Sequence, residues 1–151
     1  MGMIEMLQRK VSVNDETVAK GFCLAWTAVV AADGNIDKKE LLLLNNFAKS
    51  STATKKFYNE QWIASAFEEA LKLLNEGGLS GLYSAVASHF ANAAQGDRQV
   101  LLYSLMHLAC IDGDFSEKEM DAVNDIVETL EIGRKDVLLT GMIYAARTSQ
   151  R

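Results

Sequence analysis

Four carboxylates in this sequence repeat a spacing. Asp33 and Glu40 lie seven residues apart, and Asp112 and Glu119 reproduce that separation 79 positions later. Each pair brackets the pattern Asp-Gly-x-apolar-x-x-Lys-Glu, with Ile36 as the apolar residue in the first copy and Phe115 in the second. Carboxylates brought to one point repel each other unless a cation sits between them or some are protonated. An all-oxygen donor set suits hard ions, so the chemistry would be binding of one divalent cation, Ca2+, Mg2+ or Mn2+, rather than zinc or copper. Asp37, Asp114 and Glu117 add negative charge beside the four.

Neither loop is an EF-hand. With Gly34 at the sixth place of that calcium loop, Asp33 falls at the fifth, Ile36 at the eighth and Glu40 at the twelfth. Val29 and Ala31 then occupy the first and third places, where oxygen ligands are required. Leu108 and Cys110 occupy them in the second copy. A bound ion would therefore have to be shared between the two copies.

A second reading needs no metal. Asp37 with Glu40, and Ser116 with Glu119, have the spacing of capping boxes, in which the cap side chain takes the N3 amide and Glu reaches back to the cap amide. Gly34 and Gly113 would supply a positive φ in the turn, and Ile36 and Phe115 would act as hydrophobic staples. Both readings stand on residue chemistry alone.

The elements that must position these residues read as helices, and the fold class is all-α. Met120, Val123, Val127 and Leu130 recur at helical spacing, with Asp121, Asn124, Asp125 and Glu128 on the other face. Phe67, Leu71 and Leu74 form a similar stripe before Gly77-Gly78. Residues 100–111 are apolar almost all round, as a central helix would be. No stretch alternates long enough for a strand. The expected helices are seven, near 14–32, 37–50, 57–76, 79–95, 97–111, 116–131 and 134–147. Residues 22–51 align without gaps on 101–130. An internal repeat of this kind predicts two pseudo-symmetric halves about a twofold axis, within a single domain spanning 1–151.

Hydrophobic residues make up 49% of the 151 and charged residues 23%, a balance that buries a real core and excludes a disordered tail. A formal charge of −5 gives no general attraction for phosphate backbones, so nucleic acid is not an expected partner. Cys23 and Cys110 lie in apolar runs, which disfavours reactive thiols, and no Cys/His spacing suggests zinc. The apolar runs fall well short of the roughly 20 residues that span a bilayer, and the first residues carry no secretory signal, so a cytoplasmic location is expected. His89 and His107 form no Glu-x-x-His pair, and no nucleophile, phosphate-loop or dinucleotide pattern occurs. The chain is therefore not expected to be an enzyme.

The paired Asp-Gly-x-[Ile/Phe]-x-x-Lys-Glu segments, each following an apolar helix, resemble the TerB-like tellurite-resistance family. The resemblance covers most of the chain through the duplicated helix, Asp-Gly turn and helix. It implies a seven-helix fold with pseudo-symmetric halves, and an acidic cluster proposed to bind a divalent cation. Carried over, the motif falls on Asp33, Gly34 and Glu40, and on Asp112, Gly113 and Glu119. The family further implies a non-enzymatic cytoplasmic role in stress and tellurite-resistance systems. Protein partners are implied too, among them a membrane-bound component of the same system.

Overall fold

The computed structural model describes residues 15–32, 36–111, 116–135, 137–138 and 141, with the side chains of 109–111 excepted. Five helices carry these residues, and none of them lies in a strand. Helix α1 spans Glu16–Val30, α2 Lys38–Ser50, α3 Glu60–His89, α4 Gln95–Ile111 and α5 Glu117–Thr129. The long α3 is two helices joined at a bend. Gly78 sits there at φ 64° and ψ −162°, a backbone region essentially confined to glycine. The bend separates the helices expected at 57–76 and 79–95, so the sequence and the structure agree on the break and differ only in ends. Of the expected seventh helix, residues 134–135, 137–138 and 141 are helical and the rest lies outside the described residues.

Helix α1 is the centre of the molecule. Asp15 starts it by accepting the Thr17 amide at 2.8 Å. Twelve of its fifteen residues are buried, and it packs against α2, α3, α4 and α5, most extensively against α3. No polar side chain interrupts the run from Phe22 to Trp26, and at Thr27 the hydroxyl donates to Cys23 O at 2.8 Å, so burial leaves that group satisfied. Gly21 is required by a close approach, since a Cβ there would stand 2.7 Å from Phe90 Cε2 and 2.9 Å from His89 Cβ.

An aromatic chain ties the helices together. Phe22 packs on Trp26 and on Phe90, with centroids at 5.9 and 5.3 Å, and Trp26 meets the edge of Phe47 at 4.8 Å. The Trp26 indole donates to Ser104 Oγ at 2.9 Å, joining α1 to α4 across 78 residues of chain. Arg98 makes the second long-range tie. Its guanidinium donates to Leu130 O at 2.9 Å and to Phe90 O at 3.0 Å, so one cation meets the carbonyl ends of both α5 and α3.

Candidate metal centre

Two of the four carboxylates, Glu40 and Glu119, lie in the first turns of α2 and α5. Asp33 and Gly34, with Asp112 and Gly113, lie outside the described residues, as do Phe115 and the side chain of Cys110. Glu40 and Glu119 are described, and each is the N3 residue of a complete capping box. At α2 the Glu40 amide donates to Asp37 Oδ1 at 2.8 Å, and the Asp37 amide donates to Glu40 Oε1 at 3.0 Å. At α5 the Glu119 amide donates to Ser116 Oγ at 3.1 Å, and the Ser116 amide donates to Glu119 Oε1 at 3.3 Å. Both boxes are thus formed as their spacing predicts. Glu40 and Glu119 are half-buried, while Asp37 and Ser116 are exposed.

The helices that precede the two Asp-Gly segments are in contact. Trp26 and Ser104 touch, and they precede Asp33 and Asp112 by seven and eight residues. At 1.5 Å per helical residue, Val30 and Ile111, which end α1 and α4, lie roughly 6 and 10 Å along their helices from that contact. Among the described residues alone, no group of three or more His, Cys, Asp or Glu side chains gathers closely enough to hold a metal ion.

Burial and packing govern the remaining ionisable groups. Burial pushes the Cys23 thiol up to about 12, against only weak opposition from its own backbone and Lys20, so it stays protonated and unreactive. Tyr83 is likewise pushed up to about 12, first by burial and then by the carboxylates of Asp125 and Asp121 on α5. Burial also raises the Asp97 carboxyl, against a hydrogen bond from the Ala94 backbone and with help from the charge of Asp15. His89 is half-buried with Nδ1 2.8 Å from Ala85 O, and His107 packs its ring 5.8 Å from Phe47. Both side chains are half-buried. Trp62 differs from the core indole of Trp26, being half-buried and donating to Glu16 Oε1 at 2.9 Å.

Two clefts open on the surface. One, about 310 Å3, lies beside Arg98 between the start of α4 and residues 131–133. Another, about 230 Å3, lies between the end of α2 and α4, where Tyr103 and His107 face Ser50, Ser51 and Thr52. Neither is marked by a sequence motif, because its walls come from segments far apart in the chain.

An all-helical domain built on a buried central helix, with capping-box helices following both apolar helices, is the class that these features define. The chain belongs to the TerB tellurite-resistance family: the model of that family, described as tellurite resistance protein TerB, matches residues 21–140. The match takes in both Asp-Gly segments and all five described helices apart from residues 16–20 of α1. No curated protein and no solved structure matches the chain significantly. Among the described residues no helix is long and apolar enough to cross a membrane.

Proposed function

We propose that the chain is a non-enzymatic, cytoplasmic module of a tellurite-resistance or stress-response system that binds one divalent cation through Asp33, Glu40, Asp112 and Glu119. The observation that carries this reading is the Asp33/Glu40 spacing repeated at Asp112/Glu119, with both copies inside the residues that the TerB family model matches. In both, the glutamate seven residues after the loop aspartate is fixed by its N-cap amide, so its carboxylate is oriented at the helix start rather than left to sample rotamers. Contact between Trp26 and Ser104 holds together α1 and α4, the helices that precede the two Asp-Gly segments in the chain. Carboxylates alone would select Ca2+, Mg2+ or Mn2+. A cation shared by the two halves would crosslink them and stabilise the fold by mass action, about 2.7 kcal/mol at a hundredfold excess over Kd. The cation-loaded surface would then be what a protein partner, such as a membrane-bound component of the same system, recognises.

A metal-free interaction module is the alternative, favoured by the same boxes, since capping already gives Glu40 and Glu119 a structural task. Thermal unfolding of EDTA-stripped protein, titrated separately with the three ions at constant ionic strength, separates the two. The proposal expects a saturable rise in midpoint with one ion, abolished by Asp33→Asn with Asp112→Asn while the helical circular dichroism persists. Flat titrations with all three ions would sink it and leave capping as the whole role of the carboxylates. Turnover of phosphoesters with Mn2+ or Mg2+ added would overturn the non-enzymatic part.

A further inference from the structure

We draw no further inference here: the strongest candidate, the cleft between the end of α2 and α4, has the hydroxyls of Ser50, Ser51 and Ser104 engaged in local hydrogen bonds, and nothing in the structure shows what covers it.

Discussion

Helices α1 and α4 hold matching places in the two segments that align at an offset of 79, yet they are buried differently. Phe22, Cys23, Trp26 and Val29 are buried, and so are their counterparts Leu101, Leu102, Leu105 and Leu108. On one further face the two diverge. Leu24, Thr27 and Ala28 are at most 1% exposed, whereas the matching Tyr103, Met106 and His107 are half-buried. Only Leu24/Tyr103 and Ala28/His107 differ in polarity in that sense, so the packing explains the rest. Helix α1 is enclosed by four other helices, while α4 has its main contacts with α1 and α5. The helices that follow differ in the opposite sense. Helix α2 leans chiefly on α1, but α5 packs against α1, α3 and α4. One local grammar therefore serves two tertiary environments, because capping is satisfied within four residues and burial is not.

The sharpest test of this asymmetry is to truncate matched positions. Leu24→Ala should cost about 2–5 kcal/mol, since a fully buried leucine leaves a cavity that the core closes only in part. Tyr103→Ala should cost about 1 kcal/mol, as expected of a half-exposed side chain. Urea unfolding of both variants measures the gap, and equal losses would break the contrast between α1 and α4.

Gly21 and Val100 stand one residue before the two aligned segments, at the same offset of 79. Gly21→Ala forces a methyl against the Phe90 ring and the His89 Cβ, so it should destabilise by about 1–3 kcal/mol. Val100→Ala only removes two methyl groups at a site 8% exposed and should cost about 1 kcal/mol. Should Gly21→Ala prove neutral in chemical denaturation, α1 and α3 are less tightly apposed than these distances require.

The capping boxes should behave alike. Asp37→Ala and Ser116→Ala are each expected to lose about 1 kcal/mol in metal-free buffer, the ordinary worth of an N-cap side chain. A loss at one box only would show that its helix is held mainly by tertiary contacts, with α5 the one better placed for that.

A further effect is confined to alkaline pH. Burial holds the Cys23 thiol at about 12 against an ordinary 9.0, so above pH 9 the unfolded chain releases a proton that the native state keeps. Stability is therefore whole below pH 9 and falls as pH climbs toward 12. Tyr83 adds a loss of the same sign between its ordinary 10.0 and about 12. Cys23→Ala should flatten the slope of the unfolding free energy against pH, in contrast to Leu102, the matched position in α4, which cannot titrate. An unchanged slope would mean that Cys23 is not sealed from water.

Much of this was legible residue by residue. Ser and Asp three positions before Glu announce both capping boxes, and Gly77-Gly78 announces the bend in α3. The apolar run around Cys23 likewise announces the buried thiol that the structure shows. Other features were hidden because their partners are remote. Nothing around Arg98 marks it as a clip for two helix ends, since its acceptors are eight and 32 residues away. Residues 100–111 read as apolar all round, but the half-buried Tyr103, Met106 and His107 show that α4 is less central than α1.

By itself the sequence determined the helical class, the start of α2 and α5 and the bend at Gly78, because each depends on interactions within about four residues. Only the tertiary structure decided which apolar helix became the core, where Trp26 and Arg98 found their acceptors and how deeply the Cys23 thiol and the Tyr83 phenol were sealed. Those outcomes depend on which surfaces exclude water together, and burial is a property of neighbours distant in the chain.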